Sequence, residues 1–202
     1  MRTSRAIRWT GTIVLAVATT AWAQGVPSDA FQVRYASNLN IGDSVVNFSN
    51  TGTVAGTDPA GNVCANVYAF DAEENMIACC ACPVTPNALV SLSARGDLIS
   101  NTLTPGVPTS IVIKVLAALK GAGACNAASP TSPTLAPGLR AWGTTLHANS
   151  TTTPITYGVT ETDFAKAVLS DSELTSLTDT CAFIQNDGAG FGICKSCRTG
   201  GL

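Results

Sequence analysis

The sequence has few of the residues on which most enzyme active sites and nucleic-acid interfaces depend. Its 202 residues include one histidine (His147), 6% aromatic residues and 12% charged residues. Neither a G-x-S-x-G nucleophile elbow nor an H-E-x-x-H zinc motif is present, and we expect His147 to be a structural residue at the surface or half-buried. The charges are sparse and mixed in sign, which leaves nucleic-acid binding without electrostatic support. We therefore assign no catalytic residue, no cofactor site and no metal site.

Long apolar runs are also absent, apart from a short stretch near the N-terminus. The segment "MRTSRAIRW" carries three arginines, "TGTIVLAVATT" follows as an apolar core, and "AWA" places small residues before Gln24. This is the layout of a secretory signal peptide, and its apolar part is too short to span a bilayer comfortably. We predict a signal peptide over residues 1–23 and a single disulfide-rich β-sandwich domain over residues 24–202. We expect a secreted protein, extracellular or at the cell surface, with no membrane span after cleavage; the periplasm is the alternative.

Most of the remaining chain consists of short β segments separated by turn residues. Within several segments apolar and polar residues alternate, and Gly, Pro, Asn and Asp occupy the gaps. The predicted strands are Phe31–Ala36, Ser44–Ser49, Val63–Phe70, Met76–Cys80, Ala88–Ser93, Thr109–Leu116, Leu139–Ala148 and Ile155–Val159. Many short strands without alternating helices favour an antiparallel arrangement over a Rossmann-type sheet. We expect a mainly β protein, an antiparallel β-sandwich of the Ig-like or jelly-roll-like kind.

One α-helix, over about residues 170–186, is predicted near the C-terminus. Ser170 and Glu173 have the spacing of a capping box, in which each side chain accepts from the other residue's backbone amide. Four apolar residues then fall on one face at helical spacing: Leu174, Leu177, Cys181 and Ile184. Gly188 follows as a left-handed cap. Because the polar face is acidic and lacks lysine and arginine, we expect the apolar face to pack on the core.

The eight cysteines give the strongest signal in the sequence. They are Cys64, Cys79, Cys80, Cys82, Cys125, Cys181, Cys194 and Cys197. A secreted protein meets an oxidising environment, so we expect all eight to form disulfides, although the sequence alone does not give the connectivity. If the "MIACCAC" segment is extended, Cys79 and Cys80 point to opposite faces, whereas Cys80 and Cys82 share one. The cluster is therefore expected to be a junction of several bridges.

The other cysteines indicate what this junction ties down. Cys181 lies on the apolar side of the predicted helix, so one bridge is expected to pin the helix to a sheet. Cys194 and Cys197 are expected to anchor the C-terminal tail, either to each other or to the Cys79–Cys82 cluster. Cys125 lies in a loop rich in Ala, Gly, Ser and Pro and is expected to tether it.

Two C-x-x-C spacings leave a metal or redox site as alternatives. Four cysteines in two such pairs can hold zinc, but Cys79/Cys82 and Cys194/Cys197 lie far apart in the sequence. A thioredoxin-like centre needs its C-x-x-C at the start of a helix, whereas Pro83 follows the first pair. Disulfide staples are therefore favoured over zinc, an iron–sulfur cluster or a redox centre.

Carboxylates offer two weaker alternatives. Asp71, Glu73 and Glu74 cluster in "DAEEN" and have ligand types that calcium prefers, but a polar hairpin turn explains them without an ion. A glycosidase-like pair of Asp and Glu side chains is defined by its separation in space, so the sequence leaves it open. The scarcity of aromatic residues argues against a sugar-binding cleft.

Two stretches carry resemblances to known groups of proteins. The segments "NVCANVYAFDAEENMIACCACPVTPNALVSLS" and "CAFIQNDGAGFGICKSC" resemble secreted cysteine-rich bacterial proteins of no assigned function. The stretch "IGDSVVNFSNTG" is similar to strand pairs of bacterial Ig-like surface domains. These resemblances imply a sandwich fold and export, and they carry over no functional residues.

Export, dense cysteines, low charge and missing catalytic motifs together favour one function. We expect a secreted, non-catalytic structural or adhesive module, a subunit of an extracellular surface assembly or filament, which associates with itself or with other surface proteins. The N-terminal stretch "QGVPSDAFQVRYA" is a candidate for strand exchange with a neighbour. The alternatives are a secreted hydrolase with an Asp/Glu pair and an extracellular metal-binding protein that uses its cysteines.

Overall fold

The computed structural model describes residues 26–54, 60–149 and 156–196. In these ranges the chain forms nine strands, one α-helix and two short helical turns. The strands are β1 (Phe31–Ala36), β2 (Val45–Asn50), β3 (Val63–Phe70), β4 (Met76–Val84), β5 (Leu89–Ser93), β6 (Ile111–Leu119), β7 (Leu139–Asn149), β8 (Thr156–Asp163) and β9 (Ala165–Lys166). The helix is α1 (Asp171–Asn186), and the turns are a π-helical turn at Ala94–Leu98 and a 3-10 turn at Ser132–Thr134.

The strands form two antiparallel sheets that pack together, as predicted for a β-sandwich. Sheet A has the strand order β4-β3-β6-β1-β9, and sheet B has the order β5-β2-β7-β8. All strand pairs within the two sheets are antiparallel. With one helix near the C-terminus and three disulfides among the described residues, the predicted fold class is confirmed.

Strand positions follow the predictions, and the differences have simple causes. β1 and β3 have the predicted bounds, and β6 is a strand to its end at Leu119. β4 continues to Val84 because Pro83, which has no N–H to donate, lies on an edge strand of sheet A. β8 continues to Asp163 through residues that are all exposed, so no apolar alternation marked its true length.

The main core fills the space between the two sheets. Alternate residues of the facing strands contribute to it, among them Phe48 in β2, Val67 in β3, Ile113 in β6 and Ala141 in β7. Val67 and Ile113 are fully buried, and Phe48 packs edge-on against Phe164 with their ring centroids 6.5 Å apart. Every second side chain of these strands therefore points into the sandwich core.

A second core lies on the opposite face of sheet A. It is covered by α1 and by the 120–138 loop, and it includes Tyr68 in β3, Met76 in β4 and Leu116 in β6. Sheet A is therefore covered on both faces, and seven of the eight residues of β3 are buried. This explains why "VCANVYAF" and "MIACCACPV" contain so few polar residues, since strands buried on both faces lose the alternation.

Helix α1 begins and packs largely as predicted. The Ser170 hydroxyl accepts from the backbone N–H of Glu173, and Leu174, Leu177, Cys181 and Ile184 are its buried residues. The prediction that Glu173 completes a capping box is wrong in one respect: its Oε1 lies 2.5 Å from Nζ of Lys114 on β6. The carboxylate therefore links the helix to sheet A by an ion pair. Gly188 has a φ of 72° and follows the helix as a left-handed residue, as expected.

Candidate functional site

The cysteine cluster on β4 is the junction that the sequence predicts. Cys79 pairs with Cys181 on α1, and Cys80 pairs with Cys194 in the segment after Gly192. Cys79 lies in the core beneath α1, whereas Cys80 lies in the core between the sheets. Adjacent residues of one strand therefore lead to opposite faces of sheet A, and the two bridges fix two different C-terminal elements to it.

The Cys80 bridge also covers the outer edge of β4. The backbone N–H of Cys79 donates to the carbonyl of Gly192 at 2.8 Å, and Cys79 and Ile193 form a parallel bridge. Gly192 has a φ of 74°, and a Cβ there would lie 2.7 Å from Cγ2 of Ile184. The edge of sheet A at β4 is therefore closed by the protein's own chain, which requires glycine at this position.

A third bridge ties the 120–138 loop to β3, as predicted for Cys125. Cys64 pairs with Cys125, and nearby the buried Tyr68 hydroxyl donates to the carbonyl of Ala127 at 2.8 Å. Burial raises the pKa of Tyr68 above its ordinary value, so the phenol stays neutral. The bridge and this hydrogen bond together hold the loop over the outer face of sheet A.

Two cysteines predicted to form disulfides, Cys82 and Cys197, do not belong to the three described bridges. Cys82 shares the inter-sheet core with Cys80, as predicted, and is disulfide-bonded, although the bridges among the described residues do not include it. Cys197 and the segment predicted to be a signal peptide, residues 1–23, lie outside the described residues. The redox alternative does not fit this arrangement, because Cys79 pairs with Cys181 on α1 and Cys82 is not its partner.

The arrangement also bears on the metal-binding alternatives. Six cysteine sulfurs are consumed by the three described bridges, and a sulfur in a disulfide is not a thiolate ligand. The described residues contain no group of three or more side chains suited to hold a metal ion. In the "DAEEN" turn, Asp71 Oδ1 accepts from the amides of Glu73 and Asn75, at 3.1 and 2.8 Å. The carboxylate thus has a structural role in this turn.

A pair of carboxylates does occur on the outer face of sheet B. Glu161 and Asp163 lie two residues apart on β8, which places them on one face about 7 Å apart, and Asp163 is directly opposite Trp142 on β7. With Arg140 they line a shallow depression of about 760 Å³. Both carboxylates are exposed, whereas glycosidase acids depend on a partly desolvated site. The depression is better suited to surface contact than to hydrolysis.

The most distinctive surface feature is the outer end of the β7–β8 hairpin, residues 144–149 and 156–161, here called the arm. All eight residues of β8 are exposed, including Tyr157 at 52% and Val159 at 62%. The only histidine, His147, is exposed on the arm and its Nε2 lies 2.8 Å from the Thr160 hydroxyl. His147 therefore lies at the surface, which is one of the two positions predicted for it.

One buried arginine holds the base of the arm to the sandwich. Arg34 of β1 is 6% exposed, and its guanidinium donates to the carbonyl and hydroxyl of Thr162 and to the hydroxyl of Thr145. Burial lowers the pKa of Arg34, while the charge of Glu161 acts in the opposite direction. Gly143 makes room for this side chain, because a Cβ there would lie 3.0 Å from Nε of Arg34. Arg34 therefore anchors the base of the arm. The β7 side of the arm also contacts the body, because Asn38 donates to the carbonyl of Leu146 at 2.8 Å, whereas β8 is exposed along its length.

The four edge strands of the two described sheets differ in how they are protected. β4 is covered by the segment at Gly192, β9 has two residues and β5 has five. β8 has eight residues, contains no proline, lysine or arginine, and pairs with β7 without a bulge. Native proteins usually shorten, cover or charge such edges, because the unpaired backbone groups invite another strand. β8 carries two acidic residues at one end and none of the other protections.

The position of the N-terminal strand β1 does not fit the strand-exchange hypothesis. β1 pairs with β6 over six residues and with β9 at Gln32 and Val33, so it lies inside its own sheet. Donating it to a neighbour would require opening both ladders. The exposed edge that can receive or share a strand is β8.

No match was found for this chain among protein-family models, curated proteins or solved structures. In the part of the chain that the structure describes, no helix is long and apolar enough to cross a membrane. The three disulfides are compatible with an extracellular location.

Proposed function

We propose that the protein is a secreted, non-catalytic structural or adhesive module that associates with copies of itself at or outside the cell surface. The observation that carries this proposal is the arm, whose edge strand β8 is exposed along eight residues. A strand that offers its backbone groups in this way gains affinity from main-chain hydrogen bonds with another strand.

The disulfide junction supports the same function. Three bridges attach α1, the segment after Gly192 and the 120–138 loop to sheet A, and the bridges at Cys79 and Cys80 arise from adjacent residues. Such bridges persist in oxidising compartments outside the cytosol. They restrain the elements that cover sheet A, whereas none of the described bridges attaches to the arm. This division suits a rigid body that presents one contact element.

Two exposed apolar side chains also lie on the arm. Val159 and Tyr157 lie on the outer face of sheet B, and Leu146 is directly opposite Val159. An isolated two-stranded ribbon is marginal in water, and pairing along β8 would add a third strand. The proposed association therefore stabilises the element that mediates it.

The experiment compares retention at the cell surface and native size for two matched variants. Val159→Lys adds a charge at the centre of β8, and Val168→Lys makes the same change at a valine that is 94% exposed outside the arm. Each form is expressed in the source cells, and cell-surface and medium fractions are analysed by native gel and light scattering. We expect the wild type and Val168→Lys to form multimers and Val159→Lys to be released as a monomer. Release of wild-type protein as a monomer would overturn the proposal.

A further inference from the structure

A cavity opens at one end of the sandwich, where β1 and β7 begin and β2 and β8 end. Its volume is about 330 Å³, and its lining includes Asp29, Gln32, Arg140, Asp163 and Lys166. We call this space the end cavity. None of its lining residues belongs to the arm, so it is a surface separate from the one on which the proposed self-association depends.

The inner part of the end cavity contains a buried hydrogen-bond acceptor held in one orientation. Gln32 is 5% exposed, and its Nε2 donates at 2.8 Å to the carbonyls of Asp29 and of Leu139. Both amide protons point at carbonyl oxygens, so a flipped amide would place oxygen against oxygen. The Oε1 atom accepts no hydrogen bond from the described residues, and Gln32 lines the cavity. Because buried polar groups are normally partnered, this oxygen calls for a donor inside the cavity.

Asp29 supplies a second acceptor next to Gln32. Its Oδ2 accepts from the backbone N–H of Gly138 at 3.0 Å, and its Oδ1 has no hydrogen-bond partner among the described residues. Gly138 has a φ of 89°, and a Cβ there would collide with the Thr53 hydroxyl, so this wall of the cavity requires glycine. A half-buried carboxylate oxygen beside an amide oxygen favours a ligand group that is cationic and has several N–H donors, namely an ammonium.

The rim of the end cavity carries two cations. Lys166 of β9 lies directly opposite Gln32 of β1, so their side chains share one face of sheet A. Arg140 lines the cavity from sheet B, and both cations are exposed. With two aspartates in the lining the formal charge sums to zero, yet these groups do not neutralise one another: in the described part of the chain the only ion pair is Lys114–Glu173. Unpaired charges of both signs are complementary to a ligand that carries both signs.

The depth of each group sets the orientation of such a ligand. The acceptors of Gln32 and Asp29 are buried or half-buried, whereas Lys166 is exposed. Arg140 and Asp163 also line the depression on the outer face of sheet B, and Lys166 does not. We propose that the end cavity binds a small zwitterion, a free amino acid or a short peptide, with its ammonium at Asp29 and Gln32 and its carboxylate at Lys166. This binding goes beyond the proposed function, because it requires no self-association.

Isothermal titration calorimetry of the purified full chain tests the class of ligand. The probes are the free L-amino acids and L-alanyl-L-alanine, which distinguish a free amino acid from a peptide. For the zwitterion that binds most tightly, the N-acetylated form lacks the ammonium and the carboxamide form lacks the carboxylate. We expect each of these two analogues to bind about tenfold or more weakly than the zwitterion, because each loses a charge-assisted hydrogen bond. If no zwitterion binds at millimolar concentration, or if either analogue binds as tightly, the proposal is overturned.

Two variants test the orientation of the ligand. Asp29→Asn removes the charge but keeps an acceptor for the Gly138 amide, and Lys166→Gln removes the cation from the rim. We expect each variant to raise the dissociation constant of the zwitterion about tenfold or more. In Lys166→Gln the carboxamide form should then bind as well as the zwitterion, and in Asp29→Asn the N-acetylated form should do so, because the group that is removed has already lost its partner.

Lys195→Gln is the matched control for the change in net charge. Lys195 is exposed and does not line the end cavity, so we expect this variant to leave the dissociation constant unchanged. If Asp29→Asn fails to fold, Lys166→Gln still decides the outcome, because Lys166 lies on the exposed two-residue strand β9.

The remaining outcomes separate a binding role from a structural one. If the Lys166→Gln variant weakens the zwitterion and both analogues equally, Lys166 acts on the shape of the cavity and the proposal is overturned. Tighter binding of Ca²⁺ or of glucose than of any zwitterion would overturn it as well. A protein that forms multimers but binds no zwitterion would overturn this inference and leave the proposed function standing.

Discussion

Removing the Cys79–Cys181 bridge should destabilise the protein less than removing the Cys64–Cys125 bridge, although it spans more of the sequence. The two separations are 102 and 61 residues. Taken alone, closure of a loop of roughly 100 residues restricts the unfolded chain by about 4.7 kcal/mol, and a loop of roughly 60 residues by about 4 kcal/mol. Sequence separation alone therefore predicts a larger loss of stability for removal of the Cys79–Cys181 bridge.

The topology of the junction reverses this order. Cys80 adjoins Cys79, and its bridge to Cys194 remains when Cys79–Cys181 is removed. The loop that is newly opened then comprises only about 14 residues, which corresponds to about 3 kcal/mol. Cys64–Cys125 has no such neighbour among the described bridges, so its removal opens the full loop and costs about 4 kcal/mol.

The assay is guanidinium chloride unfolding of two double variants without reductant. Cys79→Ala with Cys181→Ala is compared with Cys64→Ala with Cys125→Ala. All four residues are buried, so the loss of sulfur packing is similar in the two variants. We expect losses in the free energy of unfolding of about 3 and about 4 kcal/mol, respectively. Mass spectrometry confirms that the other bridges are intact in both.

The ranking decides whether the reasoning holds. A larger loss for the Cys79/Cys181 variant would refute the idea that adjacent bridges share one restraint. The m-values are compared as well, because a denatured state that exposes more surface after a bridge is removed gives a steeper slope.

Gly143→Ala should lower the free energy of unfolding by about 1–3 kcal/mol in chemical denaturation, because the new Cβ would lie 2.7 Å from the Val45 carbonyl oxygen and 3.0 Å from Arg34 Nε. Tyr68→Phe should cost about 1 kcal/mol at neutral pH by removing a buried hydrogen bond. Burial raises the pKa of Tyr68 in the folded state. The contribution of Tyr68 to the free energy of unfolding should therefore be complete below about pH 10 and decrease as the pH rises towards the folded pKa. In Tyr68→Phe, this decrease in stability at alkaline pH should be absent. Glu173→Gln should cost less than about 1 kcal/mol, and high salt should reduce the difference from the wild type. Thiol titration of the denatured, unreduced protein should find no free cysteine, and several free thiols with bound zinc would restore the metal hypothesis.

Much of the fold could be predicted because local patterns encode it. Alternation predicted the bounds of β1, and flanking turn residues predicted those of β3. The Ser170 cap with four apolar residues at helical spacing predicted α1. Cys79 and Cys80 point to opposite faces because successive side chains of a strand do so. These features depend on neighbours in the sequence, so the sequence carries them directly.

The candidate site could not be predicted in the same way. β8 is an exposed edge because sheet B ends there, and nothing in "TYGVTETD" says which strand is last in a sheet. Arg34 reaches the arm through contacts with residues more than 100 positions away. The partner of Glu173 is Lys114 on β6, where the local pattern predicted a backbone amide. Each of these depends on the order of strands in space.

By itself, the sequence determined that the protein is mainly β, that it has one amphipathic helix, and that cysteines lie on both faces of one strand. These features depend on side-chain alternation and helical spacing, which are local properties of the chain. Tertiary structure alone decided which cysteines pair, that sheet A is covered on both faces, and that β8 is an exposed edge strand of sheet B. Those outcomes follow from packing between segments far apart in the chain, where burial and strand order select among many local possibilities.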